Sequence, residues 1–470
     1  MGLAGILLSL MLLMYFAYRD VSVLILAPLC ALFAVALDGE LPMLATYTQI
    51  FMASVGTFIA SFFPLFLLGA VFGKLMEDSG AAARIADAIV RSVGPRQTVL
   101  AVVLSCAVLT YGGVSLFVVV FAVFPLARSL FRKADVPRRL IPAAIALGSF
   151  TFTMTAMPGT VQIQNQIPMP VFGTTSFAAP GLGLIGSLLM LTTGMWWLNR
   201  RVRQFANAGE GFDSQAVIHQ TDCNESTVAP APPQTELPSI WTSVAPVISV
   251  VVLNFLFSHA IIPGWDTSYL ETAQFGEKKL PDVLGTWSTI LSMLSAILMT
   301  IAFHFRSAEQ LKASLASGAR ASLLPVFNTA CEFGYGNTIR SLAGFTIVSR
   351  FVTGIAPHNP LITEAASVNT LAGITGSASG GLSIVMKALG PTFLERGTAA
   401  GISPELMHRV ASMSCGGLDS LPHNGAVITL LLICGVTHRQ GYRDIAVVSI
   451  LSPLLATVTV VWLGTMFGSF

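Results

Sequence analysis

The stretch GGLDSLPHNGAV, residues 416–427, interrupts an apolar sequence that continues on both sides of it. It brings an aspartate, a histidine, an asparagine and a proline into a region that could otherwise form one membrane helix. A proline inside a helix removes one backbone donor and frees a carbonyl, and hydrocarbon can satisfy neither the freed backbone nor the polar side chains. The stretch therefore predicts a broken helix whose polar groups face protein or a wet cavity.

Composition places the whole chain in the membrane class. Of its 470 residues, 54% are hydrophobic and 10% are charged, whereas an ordinary soluble domain carries roughly 25% charged residues. We predict an all-α polytopic membrane protein. Basic residues do not cluster as a nucleic-acid surface requires, and the six cysteines show no CxxC pair and no metal-ligand spacing. The sequence therefore predicts no nucleic-acid partner, no cofactor and no metal.

Apolar runs long enough to cross about 30 Å of hydrocarbon predict about ten transmembrane helices, two of them broken. They lie at 3–18, 21–38, 54–75, 137–165, 179–199, 239–262, 283–303, 318–345, 404–436 and 443–467. The polar segment 200–238 is rich in proline, alanine and threonine and is predicted to be a flexible linker between 1–199 and 239–470. Each half then contains five crossings, and this odd number gives the two halves opposite orientations.

The basic residues orient these spans. Arginine and lysine concentrate after the first run, at 84–96, at 128–139 and at the start of the linker. The positive-inside rule assigns that face to the cytoplasm. We therefore expect a cytoplasmic linker and both termini outside.

The two halves also share a sequence pattern. TYGGVSLFV (110–118) aligns with SASGGLSIV (377–385), and AMPGT (156–160) aligns with SLPHN (420–424). Each match is weak alone, but their order and nearly constant spacing support each other. Inverted repeats with Gly- or Pro-interrupted segments at corresponding positions are typical of secondary transporters.

Each repeat contributes two special elements to this prediction. One is a helical hairpin that folds back at a Gly/Ser tip, at about 97–131 and again at about 359–396; its arms are short for a full crossing, so we interpret both hairpins as re-entrant. Exposed N–H groups at helix starts at these tips would attract an anion. The alternative is an ordinary helix pair that uses glycine for close packing. The other element is a broken helix, at about 137–165 and at about 404–436.

Polar side chains at these four interruptions form the predicted solute site. Asp419 and His423 are the predicted proton-coupling residues, because an ionisable residue within a span is a functional candidate; the alternative is that they cap the half-helices. Single threonines could simply bond to the carbonyls of the preceding turn. The predicted binding set is Thr110, Gly112, Gly113, Ser115, Thr153, Thr155, Thr160, Gln162, Asn165, Ser377, Ser379, Gly380, Gly381, Ser383, Ser420 and Asn424.

Other ionisable residues receive less weight. Glu332 is a third candidate, which we expect at a helix end. Arg340, Arg350, Glu364 and Lys387 are expected at membrane interfaces or with their charged ends reaching toward water. The histidines other than His423, among them His408, lie in the linker or near predicted span ends. No nucleophile with a base or metal ligands emerges, so the sequence predicts that the protein is not an enzyme.

Three strings resemble the gluconate permease family of bacterial inner-membrane symporters: TYGGVSLFVVVFAVFPLARSLF (110–131), PRRLIPAAIALGSFTFTMTAMPGTVQIQNQIP (137–168) and DSLPHNGAVITLLLICGVTHRQ (419–440). The resemblance covers about 50–467. It implies proton-coupled uptake of small hydroxylated carboxylates, such as gluconate or 3-hydroxybutyrate. It also implies a homodimer in the inner membrane and an elevator-type mechanism, as in the larger ion-transporter superfamily.

Rival functions use similar folds. A sodium-coupled carboxylate symporter or a carboxylate exchanger is the main alternative, although the tips lack the Ser-Asn-Thr triplet of the superfamily's sodium-coupled members; the sodium and pH dependence of uptake separates these. A channel should show a continuous polar stripe along several helices, whereas the polar groups here cluster at mid-depth. Single-channel currents would identify it.

Overall fold

The structure, a computed structural model, consists of helices joined by turns. It describes every residue except 1, 18–20, 95–96, 115, 213–236, 306, 355, 357–358 and 423, and the described residues contain no strand. Two predicted site residues, Ser115 and His423, and most of the predicted linker lie outside the described residues. The all-α prediction is confirmed.

Within the described residues, the first half of the chain contains twelve α-helices, of which α3 and α9 to α11 are single short turns. A π-helical segment, Thr46–Phe51, joins α3 to α4, so that Met43–Asp78 is one continuous helix. The helices are α1 (Gly2–Ala17), α2 (Val23–Asp38), α3 (Met43–Ala45), α4 (Met52–Asp78), α5 (Ala81–Val93), α6 (Thr98–Tyr111), α7 (Leu116–Lys133), α8 (Ile141–Ser149), α9 (Phe152–Thr155), α10 (Ile163–Gln166), α11 (Met169–Phe172) and α12 (Pro180–Asn207).

The second half contains ten helices after the part of the linker that is not described. Short 3₁₀ turns between 262 and 275 connect the first two of them. The helices are α13 (Ile240–Leu256), α14 (Leu280–His304), α15 (Ala308–Ser341), α16 (Phe345–Gly354), α17 (Pro360–Thr375), α18 (Ala378–Ala399), α19 (Pro404–Ser414), α20 (Gly425–Cys434), α21 (His438–Ala446) and α22 (Ser452–Phe467).

Several of these helices fit a bilayer. Five in the described part are long and apolar enough to cross it: Met43–Asp78, Pro180–Asn207, Ile240–Gly264, Leu280–His304 and His438–Phe467. Large apolar side chains on their surfaces are exposed, among them Trp241, Leu298 and Trp462, as expected where lipid rather than water is the neighbour. The remaining helices are shorter, interrupted or more polar, so the number of crossings stays a prediction.

The same order of elements occurs twice. A long helix (α4 or α15) is followed by a short helix (α5 or α16), then by two helices joined at a short turn (α6–α7 or α17–α18), and then by a helix that breaks (α8 or α19). The long helices α4 and α15 pack along each other, and Phe58 meets Phe333 there with ring centroids 5.3 Å apart. The order agrees with the aligned motifs, while the opposite orientation of the halves remains a prediction.

Several boundaries differ from the sequence prediction; α15, for example, begins at Ala308, ten residues before the predicted span 318–345. The chain is helical from Met43, inside the predicted loop between the second and third spans. Helix α12 continues to Asn207, eight residues into the predicted linker 200–238. Its charged end is held by Asp444 of α21, which accepts hydrogen bonds from Arg201 Nε at 2.8 Å and Trp197 Nε1 at 3.0 Å. A local polar composition could not reveal this distant partner.

Candidate functional site

A cavity of about 670 Å³ brings the four predicted interruptions together. Its size lies within the range of roughly 300–1,000 Å³ that is typical of small-molecule sites. The helices α4, α14 and α15, together with residues 21–23 at the start of α2, form the rest of its wall. The interruptions contribute Gly113 from the first tip, Gly376–Ser379 from the second tip, Phe150, Met154 and 161–164 from the first break, and Asp419, 424–426 and Ile428 from the second break.

The second tip places a helix start at the cavity. Gly376 ends α17 with a positive φ of 63°, a conformation that glycine adopts without a steric cost. Ser377 then caps α18, and its hydroxyl accepts a hydrogen bond from Gly380 N at 3.1 Å. Because the first N–H groups of a helix point away from its body, the start of α18 favours an anion in the cavity.

The second break is tied to this tip by Asn424. Its Oδ1 caps α20 by accepting from Val427 N at 2.9 Å, while its Nδ2 donates to Gly376 O at 2.8 Å and to Asp419 O at 3.0 Å. Asp419 is 4% exposed, lines the cavity and accepts a hydrogen bond from the Ser420 hydroxyl at 3.1 Å. One amide therefore holds the break, the tip and the predicted proton-coupling residue in a fixed relation.

The first tip and the first break are connected in the same way. Gln162 Nε2 donates to Thr110 O at the end of α6 at 2.7 Å. Gly113 has a φ of 91°, and a Cβ at this position would lie 2.7 Å from the Val161 side chain. The tip thus requires glycine both for its backbone conformation and for its close approach to the break.

A buried arginine satisfies the backbone of the first break from the other half of the chain. Arg409 of α19 is fully buried and donates to the carbonyl of Ala178 at 2.7 and 3.0 Å and to Asn165 Oδ1 at 3.2 Å. His408 is equally buried and contacts Thr174 at 2.5 Å and Asn165 at 3.1 Å. The sequence placed His408 near the end of a predicted span; it lies in the second turn of α19 and faces the interior beside the first break.

Helix α15 adds a polar face to the cavity, of which the sequence prediction named only Glu332, as a third candidate. Ser322, Asn328, Thr329 and Glu332 line the cavity at spacings that place them on one side of the helix. Asn328 of α15 and Gln164 of the first break both line the cavity, and their amide oxygens are buried with no hydrogen-bond partner among the described residues.

Two acidic residues lie elsewhere than expected. Glu332 is inside the 34-residue α15 rather than at a helix end, and it is 6% exposed. Glu364 is 1% exposed inside α17, so the interfacial prediction is wrong for this residue; both its carboxyl oxygens lack hydrogen-bond partners within the described part. Arg340 and Arg350 are exposed, as expected.

Apart from Ser115, which lies outside the described residues, the predicted binding set divides into two groups. The members that line the cavity are Gly113, Gln162, Ser377, Ser379 and Asn424, together with the predicted proton-coupling residue Asp419. The others lie behind the wall, where Thr153 and Thr155 donate to the carbonyls of Gly148 and Thr151 and Ser420 to Asp419. This second group comprises Thr110, Gly112, Thr153, Thr155, Thr160, Asn165, Gly380, Gly381, Ser383 and Ser420.

One basic group also reaches the cavity. Lys74 of α4 lines it, but its ammonium is paired with Asp78 at 2.9 Å and with Glu77 at 3.2 Å. Among the residues described, no three His, Cys, Asp or Glu side chains are placed to hold a metal ion. Helix starts, hydroxyls and amides are therefore the main polar groups that the described wall offers to a ligand.

Comparison with known proteins gives three findings. Residues 1–302 match the family model of the GntP family permeases. The chain is 45% identical over 460 residues to a Bacillus subtilis (strain 168) protein named as the uncharacterized transporter YxjC, and the match covers 96% of each. The crystal structure of the Alcanivorax borkumensis YdaH transporter is similar with a TM-score of 0.53, 15% identity and 89% of each chain covered. At that identity the last likeness concerns the fold alone.

Proposed function

Because the chain belongs to the GntP permease family of multi-pass membrane transporters, we propose that it couples protons to the uptake of a small hydroxylated monocarboxylate. Gluconate and 3-hydroxybutyrate are the candidate substrates. The observation that carries this proposal is the cavity, where both hairpin tips and both breaks meet. Interrupted segments from corresponding positions of two repeats, meeting at one site, are typical of secondary transporters.

The substrate's charged end belongs at the second tip. There the first turn of α18 and the hydroxyls of Ser377 and Ser379 line the cavity. A helix start stabilises a negative charge by roughly 0.3–1 kcal/mol at an exposed site and more where burial excludes water. Since Lys74 is already paired with two carboxylates, this arrangement suits one carboxylate rather than a dianion.

The substrate's hydroxyl groups are placed beside Asn328 of α15 and Gln164 of the first break. Asn328 and Gln164 line the cavity, and their amide oxygens have no donor among the described residues. A buried acceptor left unpaired costs about 1–3 kcal/mol. A hydroxyl of the solute, or a water in the empty state, would remove that cost. This requirement favours a hydroxy acid over an unsubstituted one.

Transport follows from moving this site relative to the long helices. On α4 the cavity is lined only by the part from Leu65 to Lys74, and residues 21–23 join it there. These positions lie toward the face that the basic residues assign to the cytoplasm. We therefore assign the structure to an inward-facing state of an elevator-type cycle. The homodimer and the inner-membrane location expected from the family belong to the same proposal.

Uptake into proteoliposomes tests the function. A pH gradient, acidic outside, should drive accumulation of one of four labelled acids (gluconate, 3-hydroxybutyrate, D-serine or lactate) without sodium. Asp419→Asn keeps the size of the side chain but cannot bind and release a proton, so it should abolish accumulation while leaving thermal unfolding and counterflow exchange intact. Uptake that requires a sodium gradient would favour the sodium-coupled alternative. An unchanged pH profile in Asp419→Asn would remove Asp419 from the coupling role.

A further inference from the structure

Glu332 projects from α15 onto the second hairpin tip. Its side chain is 6% exposed and lines the cavity. A Cβ added at Gly380 would overlap Glu332 Oε2, so the carboxyl lies directly against the first turn of α18. Ser377, the cap of that helix, is its hydrogen-bonding neighbour. A protein carboxyl thus already lies against the helix start where the proposed function places the substrate's carboxylate.

No cation compensates this carboxyl within the described part of the chain. Oε2 is buried without a hydrogen-bond partner, and the ion pairs there do not include Glu332. Lys74, which faces the same cavity from α4, is held by Asp78 at 2.9 Å. Lys387 of α18 lies instead over the Phe333 ring at 5.7 Å. The other titratable neighbours are Asp419 across the cavity, Cys331 and Tyr335 on α15, and Cys30 on α2 beside Tyr335.

We infer that Glu332 must bind a proton before a carboxylate can occupy the second hairpin tip, so that Glu332 links substrate binding to proton binding. This inference rests on the proposed function. An ionised Glu332 repels a second carboxylate at the same helix start, and burial weakens the screening of that repulsion. Once protonated, Glu332 presents an O–H that can donate to the substrate's carboxylate. Glu332 is thus a positioning and coupling residue distinct from Asp419.

The direction in which substrate affinity changes with pH follows from this proton. The loaded state holds one proton more than the empty state, so affinity must fall as pH rises through the titration of Glu332. For one linked proton, the Kd should rise about tenfold per pH unit on the alkaline side. In Glu332→Gln the side chain is neutral at every pH, so the Kd should stay near the wild type's low-pH value.

Isothermal titration of the full-length purified protein between pH 5 and pH 9 tests this, with gluconate, 3-hydroxybutyrate, D-serine and lactate as probes. Repeating the titration in two buffers of different ionisation heat should show that the wild type takes up one proton per bound carboxylate. Glu364→Gln is the matched control, because Glu364 is also buried but does not line the cavity; its Kd should rise with pH as in the wild type. In Glu332→Gln the Kd should not rise with pH in this way, and binding should take up no proton.

Each possible result of these titrations either supports or overturns the inference about Glu332. Wild-type binding without proton uptake, a wild-type slope in Glu332→Gln, or a folded Glu332→Gln that binds nothing would each overturn the inference and leave the proposed carrier in place. If Glu332→Gln does not fold, Gly380→Ala serves instead, because its methyl group must displace the carboxyl and flatten the slope; an unchanged slope would overturn the inference. If the wild type binds none of the four acids, the proposed function fails and the inference fails with it.

Discussion

At the scale of single residues, the proposed preference for a hydroxy acid depends on which buried polar atoms have partners. The amide nitrogens of Gln162 and Asn424 donate hydrogen bonds to backbone carbonyls at the hairpin tips. The amide oxygens of Gln164 and Asn328 have no described partner. A site with unpaired acceptors rejects an analogue that lacks the matching hydroxyl, because the acceptors then stay unpaired.

Asn328→Ala should therefore reduce the preference for a hydroxylated acid. We expect the apparent affinity for 3-hydroxybutyrate to fall about tenfold, which corresponds to one hydrogen bond of about 1.4 kcal/mol, with little change for butyrate. Competition of both acids against labelled substrate measures the ratio. Asn337→Ala is the control, because Asn337 lies on the same helix but bonds to Ser54 outside the cavity. Equal losses for both acids in Asn328→Ala would contradict this assignment.

The sequence could identify a site residue only where neighbouring residues in the chain marked an interrupted run. Asp419, Gln162 and Asn424 stand beside prolines or glycines in interrupted runs, and they line the cavity as a solute site requires. Asn328 and Glu332 lie in the continuous helix α15; Glu332 was a candidate because it is ionisable, although it was expected at a helix end, and nothing nearby distinguished Asn328. Arg409 was missed because its partners, Asn165 and Ala178, lie more than two hundred residues away.

At the scale of elements, the hairpin tips need glycine where the chain turns against a break. Gly113→Ala should destabilise the protein by about 1–2 kcal/mol, since a residue with a Cβ is strained at positive φ and the methyl group would meet Val161. Thermal unfolding in detergent measures the loss, and uptake should fall with it. Gly56→Ala is the matched control: Gly56 lies within α4 with open space around its Cβ position, so alanine there should be neutral or stabilising. Similar melting points for the two variants would show that the tip tolerates a side chain.

The all-helical class follows from composition, and glycines and prolines indicate some of the turns and breaks. Gly112–Gly113 marked the turn between α6 and α7, whereas the turn between α17 and α18 lies at Gly376 and the pair Gly380–Gly381 lies inside α18. Prolines marked the breaks after α8 and α19. The short helices α5 and α16 were not predicted, because each is too short to cross a bilayer. The extension of α12 depends on Asp444, which a local pattern cannot supply.

At the scale of the whole molecule, the proposed inward-facing state predicts a labelling pattern. Ala321 lines the cavity in the half of α15 that is nearer its predicted cytoplasmic start, whereas Gln274 is exposed in the loop predicted outside. In a Cys223→Ser background, a membrane-impermeant maleimide should label Ala321→Cys from the cytoplasmic side and Gln274→Cys from the other. Labelling of Ala321→Cys only from the outer side would reverse the assigned orientation or state.

The central claim is that two interrupted helices and two hairpin tips hold the substrate between them. A cryo-EM map of the purified protein with a saturating carboxylate tests it most directly. The account predicts density in the cavity, with the carboxylate at Ser377–Ser379 and a hydroxyl facing Asn328 or Gln164. Substrate density elsewhere, with this cavity unoccupied at saturation, would contradict the account.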